Sequence, residues 1–364
     1  MVKDPVPLGE VRRALVVKLR HHGDVLLSSP VFSVLKAHAP HVEIDALVYA
    51  DTAEMLTLHP AIGAVHTIDR QWKKLGPLAR AAAEWRLLRT LRARRYDLII
   101  HLTEHPRGAW LTRLCGARWA VAPRVAGRGR FWRNSFTHFW HAPRASPRHT
   151  VEHNLDALRR IGIYPDREQR CVRLLPGEES VARVAALLQS YALADKGFVL
   201  IHPASRWLFK CWTPQGWATV VERLRAAGWP VVLTAAPGEQ EGALVEAIQQ
   251  LLETPVVSLA GRLSLKDLAA LAARARLFLG VDSAPMHIAA AMDTPVIALF
   301  GPSGDRQWGP WDNTGRQGHR VVASRNHACR PCGIDGCGGG KVSDCLVSLS
   351  AVQVADEALA LLQA

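Results

Sequence analysis

No uninterrupted apolar run approaches the roughly 20 residues that a helix needs to cross a bilayer. The N-terminus, "MVKDPVPLGEVRRALVV", lacks a basic region followed by an apolar core and a small-residue cleavage site. The expectation is therefore a soluble, unexported, cytoplasmic protein. Cysteine is sparse, with 7 in 364 residues, an odd count that suits a reducing compartment better than a disulfide framework. Acidic residues are absent between Glu104 and Glu152, where nine arginines stand: Arg107, Arg113, Arg118, Arg124, Arg128, Arg130, Arg133, Arg144 and Arg148. No Gly-x-Gly-x-x-Gly follows any strand-like run, "GRGRFW" supplying only the first two glycines, and there is no Walker phosphate loop. An aromatic RNP strand and a KH Gly-x-x-Gly loop are missing too, so nucleic acid is not expected as a partner.

What is present is positive charge, +13 formally with a pI near 9.9, which calls for an acidic partner such as nucleic acid, anionic lipid or a phosphorylated substrate. Trp110, Trp119, Phe131, Trp132, Phe139 and Trp140 interleave with the arginine run. Two readings stay open there: a solvated basic face over ordinary core aromatics, or a surface for an acidic ligand.

Length predicts two domains of roughly 150 to 200 residues. Strand-length apolar runs ("ALVVKL", "VEIDALVY", "AVHTI", "YDLIIHL") alternate with helical patterns, including about 25–38 and a basic amphipathic segment over 78–95. The theme repeats in "GFVLIHP", "PVVLTAAP", "VVSLAG", "RLFLGVD" and "PVIALFG". This is the signature of parallel sheets wrapped by helices. The expected fold class is α/β, two Rossmann-like doubly wound domains facing a cleft. Pro176-Gly177 marks the joint, giving a first domain over 1–176, a second over 177–349 and a terminal helix over 350–364. Such folds bind ligands at the carboxyl ends of strands.

Three stretches carry chemistry. In "LFLGVDSAPMHIAAAMDTPVIALFGPSG" a buried strand ends in Asp282-Ser283 and a helix opens at about Ala284-Pro285. The free amides of that first turn suit a pyrophosphate; the other reading is that Asp282 or Ser283 caps the helix, with His287 packed on the sheet. In "KLRHHGDVL", Gly23 permits a tight turn after a strand and Asp24 is delivered at the strand end, either as an N-cap or as an acid facing ligand. "CRPCGIDGCGGGKVSDC" sets Cys329, Cys332, Cys337 and Cys345 in a Cys-x2-Cys-x4-Cys-x7-Cys array, which predicts a structural zinc site or else reduced thiols or a disulfide in a surface loop.

Four segments in order, "VVKLRHHGDVLLSSPVFSVLKAHAPHVEIDALVY", "LIIHLTEHPRGAW", "IHPASRWLFKCWTPQGWATVVERL" and "GVDSAPMHIAAAMDTPVIALFGPSG", resemble the lipopolysaccharide heptosyltransferases of glycosyltransferase family 9, most closely the heptosyltransferase III group. The resemblance runs from about Arg13 to the C-terminus. It implies a GT-B fold and inverting transfer of L-glycero-D-manno-heptose from ADP-heptose to a heptose of the lipopolysaccharide inner core. The donor would be held by the C-terminal domain and the acceptor by the N-terminal one, with no cofactor needed for the chemistry. By resemblance Asp24 is the general base, with His21 or His22 as the rival. Lys210 contacts the donor phosphates, Ser205 adds a hydrogen bond, and Glu239 meets the ribose. Asp282 holds heptose hydroxyls, Ser283, Ala284 and Met286 give backbone contacts, and His287 completes the donor side. Arg20, His21, His22 and Arg107 are candidates for acceptor or phosphate. Ala284-Pro285 departs from the Gly-Leu of other members, and the proline removes one amide donor. A phosphorylated glycolipid acceptor at the inner face of the inner membrane accounts for the basic N-terminal half, with the segment 78–95 and Trp85 resting peripherally on anionic lipid. The alternatives are a related glycosyltransferase using another nucleotide sugar and, from a different class, a basic RNA-binding protein.

Overall fold

The computed structural model describes residues 4–141, 147–316 and 318–363. Arg144 of the arginine run lies outside them. The chain divides into two compact units, Met1–Leu174 and Leu175–Ala364.

In the first unit, β1 (Arg13–Val17), β2 (Glu43–Tyr49), β3 (Ala64–Ile68), β4 (Leu98–His101), β5 (Trp119–Arg124) and β6 (His138–His141) form one parallel sheet in the order β3-β2-β1-β4-β5-β6. Helices cover both faces, so the central strands read as near-continuous apolar runs rather than alternating ones. Ala14 to Val17 and Leu98 to His101 are all buried.

The helix expected over about 25–38 is two helices, His22–Leu26 and Ser29–His38. Pro30 has no amide to continue the ladder, and its ring would meet the carbonyl four residues back, at Leu26. The basic amphipathic segment forms the helix Pro77–Arg94. Its Leu87, Leu88 and Leu91 are buried, whereas Leu78 and Trp85 are 89% and 63% exposed.

The arginine-rich stretch contains elements that apolar patterning did not predict: the helix Pro106–Cys115 and the strands β5 and β6. Its aromatics divide by burial. Trp132, Phe136 and Trp140 are core, while Trp110 and Phe131 are exposed and stack with centroids 4.4 Å apart. The helix Pro106–Cys115 approaches the end of β4 so closely that a Cβ on Gly108 would lie 1.8 Å from His101 Nε2. Only glycine fits there.

The second unit repeats the plan with β7 (Val199–His202), β8 (Val231–Leu233), β9 (Val257–Ser258), β10 (Leu277–Val281), β11 (Val296–Phe300) and β12 (His319–Ala323), ordered β12-β11-β10-β7-β8-β9 and all parallel. Counted from each unit's own first strand, both sheets run 3-2-1-4-5-6, the doubly wound Rossmann order. The terminal helix Ala351–Gln363 packs on the helix Pro214–Ala226 and on β10, burying Val354, Ala355, Ala358 and Leu362. It therefore belongs to the second unit's core. No helix among the described residues is long and apolar enough to cross a membrane.

In each sheet the strand order reverses between the first and fourth strands: between β1 and β4, and between β7 and β10. Ligands of doubly wound sheets sit outside the carboxyl ends of such a pair.

Candidate functional site

At the β1/β4 end of the first unit, β1 leads through Lys18 into the turn that carries Asp24. Asp24 lies in the first turn of the helix His22–Leu26, whose cap position belongs to His21, so the N-cap reading of Asp24 does not hold. Its side chain is 18% exposed, with Lys18 Nζ 3.9 Å from Oδ1. Lys18 itself is buried and donates to Asn154 Oδ1 at 3.0 Å, while Asn154 Nδ2 donates to the Leu27 carbonyl at 2.9 Å. Burial pushes the Lys18 ammonium below its usual range, Asp24 opposes that shift, and Arg20 adds to it. At the end of β4, burial pushes His101 down to about 4, so its imidazole is neutral at physiological pH.

Of the other candidates of this unit, His22 and Arg107 have engaged side chains. His22 Nε2 sits 2.8 Å from the Asp51 carbonyl. Arg20 is exposed, and its carbonyl accepts from Arg70 at 2.9 Å. Arg107 is ion-paired with Glu84 on the helix Pro77–Arg94. His21 is exposed beside Asp24 in sequence.

At the β7/β10 end of the second unit, two strand-end loops converge. The loop after β7 carries Ser205, buried, whose Oγ accepts from the Trp207 amide at 3.3 Å, and then the short turn Leu208–Lys210. The loop after β10 carries Asp282 and Ser283. Lys210 Nζ and Asp282 Oδ2 are 2.6 Å apart, joining residues 72 positions apart in sequence. The turn that carries Lys210 is braced from behind, since Ser343 Oγ donates to the Phe209 carbonyl at 2.7 Å.

Ser283 occupies the cap position of the helix Ala284–Ala291, yet its hydroxyl makes no capping bond and is buried without a hydrogen-bond partner. A buried hydroxyl of this kind costs free energy unless something bonds to it. Met286 and His287 are buried in the same helix, and Ala284 is half-buried. A cation, a carboxylate, an unspent hydroxyl and the first-turn amides of an apolar helix suit a ligand with phosphate and several hydroxyls.

Glu239 is exposed at the start of the helix Glu239–Leu251. Two residues on, Glu241 turns inward, accepting from the Ala236 amide at 3.1 Å and standing 3.6 Å from Nε2 of His202, the last residue of β7. Burial alone would raise the Glu241 carboxyl, but the hydrogen bonds from His202 and from the Ala236 amide outweigh it and hold the group below its ordinary range. The reading of the sequence missed Glu241, His202, Lys18 and Asn154. Its only signal for Glu241 was a second acid in "PGEQEG", where helical phase decides which one faces the strand.

The four cysteines share one neighbourhood, because Cys329, Cys332 and Cys337 all act on Cys345, whose thiol is pushed up mainly by burial. Cys345 is buried and the other three are exposed. Among the described residues, no group of three or more His, Cys, Asp or Glu side chains is arranged to hold a metal ion.

The family model described as glycosyltransferase family 9 (heptosyltransferase) matches residues 84–333. The Escherichia coli protein named lipopolysaccharide heptosyltransferase 3 is 39% identical over 297 residues, covering 81% of this chain and 85% of that one. The chain belongs to glycosyltransferase family 9, the heptosyltransferases. Among solved structures, a family 9 glycosyl transferase from Veillonella parvula superposes with a TM-score of 0.82 at 22% identity, covering 97% of each chain. Escherichia coli heptosyltransferase WaaC with ADP superposes with a TM-score of 0.72 at 21% identity, covering 96% of this chain and 99% of that one. The fold is thus the GT-B class of α/β glycosyltransferases, and the protein is an enzyme of the lipopolysaccharide heptosyltransferase family, acting in core biosynthesis.

Proposed function

We propose that this glycosyltransferase moves L-glycero-D-manno-heptose from ADP-heptose onto a heptose of the lipopolysaccharide inner core, with inversion at the anomeric carbon. In one displacement the acceptor oxygen bonds to that carbon and its proton passes to the Asp24 carboxylate. The bond from the anomeric carbon to the β-phosphate oxygen breaks, and ADP departs with the electron pair. The observation that supports this most is the Lys210–Asp282 contact of 2.6 Å beside the buried, unspent Ser283 hydroxyl. Lys210 neutralises the charge that grows on the diphosphate, helped by first-turn amides of the helix Ala284–Ala291. Asp282 orders heptose hydroxyls, and Ser205 adds a donor to the phosphates. Glu239 or Glu241 meets the ribose, and Glu241 is the better placed because it is held against the end of β7. The chemistry needs no metal or organic cofactor.

The acceptor in this reading is a phosphorylated glycolipid, met by a protein held peripherally at the inner face of the inner membrane. Exposed Leu78 and Trp85, on a helix that also carries Arg80, Arg86 and Arg89, support that reading, since charge attraction to anionic lipid would be reinforced by apolar contact and screened by salt. Nucleic acid has no part in it.

The test is ADP release by the purified enzyme given ADP-heptose and a heptose-bearing core acceptor, with ADP-glucose as control donor. Acceptor-dependent release from ADP-heptose alone is expected. Equal turnover with ADP-glucose would replace the donor assignment, and no turnover with either would remove it.

The cysteine array enters this reading only as a structural zinc site, and the arrangement described above gives that role no geometric support. Metal analysis of protein purified without chelator decides the matter. Near-stoichiometric zinc would restore the site, and its absence would leave four reduced thiols.

A further inference from the structure

Lys18 takes no part in the reaction as written, yet it is a charged side chain left only 6% exposed beside the reacting end of β1. Burying an ammonium is costly. A methionine would fill the same volume, so packing alone does not account for the charge. The geometry around it does. Asn154, on the helix Thr150–Arg160, accepts from Lys18 Nζ at 3.0 Å and donates to the carbonyl of Leu27 at 2.9 Å. Leu27 closes the helix that carries Asp24. One buried amide therefore ties the ammonium to the frame of that helix, and the ammonium stands 3.9 Å from the Asp24 carboxylate.

We infer that Lys18, clamped by Asn154, is the positioning residue for Asp24: its ammonium sets where the carboxylate points, and Asn154 sets where the ammonium sits. The inference rests on Asp24 acting as the base. The other ionisable groups whose charges meet this cluster are Arg20 on the same segment, His101 at the end of β4, and His153 on the helix of Asn154. Burial favours the neutral form of both histidines, which leaves Lys18 as the cation in contact with Asp24 and Arg20 as the charge that acts on Lys18.

The experiment compares the wild type with Lys18→Met, Asn154→Ala, Asp24→Asn and the double variants Lys18→Met/Asp24→Asn and Lys18→Met/Asn154→Ala. The readouts are kcat, donor KM and the thermal unfolding midpoint. Misplacing a catalytic group by about 1 Å can cost on the order of 100-fold, so Lys18→Met should lower kcat by roughly 10- to 100-fold. Donor KM should stay within about twofold; the unfolding midpoint is read separately, since the relief of a buried charge is opposed by the buried Asn154 Oδ1 left without its donor. Asn154→Ala should lose less; Lys18→Met/Asn154→Ala should fall no lower than Lys18→Met alone, and Lys18→Met/Asp24→Asn no lower than Asp24→Asn alone, because groups acting through one another are not additive. Wild-type kcat in Lys18→Met, or losses that multiply in the doubles, overturn the inference. Should Lys18→Met fail to fold, Asn154→Ala decides alone, and unchanged kcat there overturns it. Asp24→Asn with full activity instead removes the base reading itself, a result distinct from an inactive Asp24→Asn beside a fully active Lys18→Met.

Discussion

Asp24→Asn is expected to lower kcat for heptosyl transfer by about 100- to 10,000-fold, the range that a positioned general base contributes, while the donor KM changes little. Asparagine keeps the shape of the side chain and its place in the first turn of the helix His22–Leu26. It cannot take a proton. Because the helix cap falls at His21, a loss of activity cannot be ascribed to a lost cap at residue 24. One rival base is less well placed: His22 Nε2 stands 2.8 Å from the Asp51 carbonyl, so it carries its proton as donor to that oxygen and has no lone pair there to accept another. Steady-state kinetics with acceptor varied at saturating donor, together with donor binding by calorimetry, check the expectation. Turnover equal to the wild type would move the base to His21 or His22.

The second large effect concerns stability and lies away from the chemistry. Asp45, on β2, has a fully buried carboxylate. It accepts from Tyr96 Oη at 2.6 Å and from Arg94 Nε at 2.8 Å, with His66 Nε2 at 3.4 Å. Burial by itself would raise this carboxyl, but the hydrogen bonds from His66, Tyr96 and Arg94 prevail and hold it at about 2. Burial of the Tyr96 phenol, and after it the same carboxylate, pushes that phenol upward. A folded-state value below the ordinary 3.8 means that the stabilisation is complete above about 3.8 and is lost as pH falls through about 2. The difference corresponds to about 2.5 kcal/mol. Asp45→Asn should therefore destabilise the protein by about 2 to 3 kcal/mol at neutral pH, since the uncharged amide leaves Arg94 without its buried counter-charge. Near pH 2 the gap between variant and wild type should close. Urea unfolding followed at both pH values checks this, and a gap that persists in acid would show that shape, not charge, was lost.

Much of the fold and some of the site could be read along the chain. The parallel α/β class was legible because a strand covered on both faces must be apolar throughout, as in "ALVV" and "LFLGV". For the residues that follow strands, Asp282 and Ser283 stand out by the strand-to-helix pattern, whereas Asp24, Ser205 and Lys210 stand out only through the family resemblance. Less visible were β5, β6 and β12. Their runs, such as "HFWH" and "HRVVA", carry polar residues because β6 and β12 lie at sheet edges and β5 is next to one, where burial is less complete.

What the sequence determined by itself, then, is most of the apolar strands and helices and the residue types at their ends, because helix and strand periods and turn residues act over a few neighbours. Tertiary structure decided which of those ends meet. The 3-2-1-4-5-6 order sets β7 beside β10, so Lys210 and Asp282 close to 2.6 Å across 72 residues. Within the first unit, packing brings Asn154 to Lys18 across 136 residues. It was helix phase and burial that separated Glu241 from Glu239 and moved Asp24 off the cap position. The physical reason is that local pattern records only whether a residue is covered, whereas its partner is chosen by strand order and by the requirement that every buried charge find an opposite one.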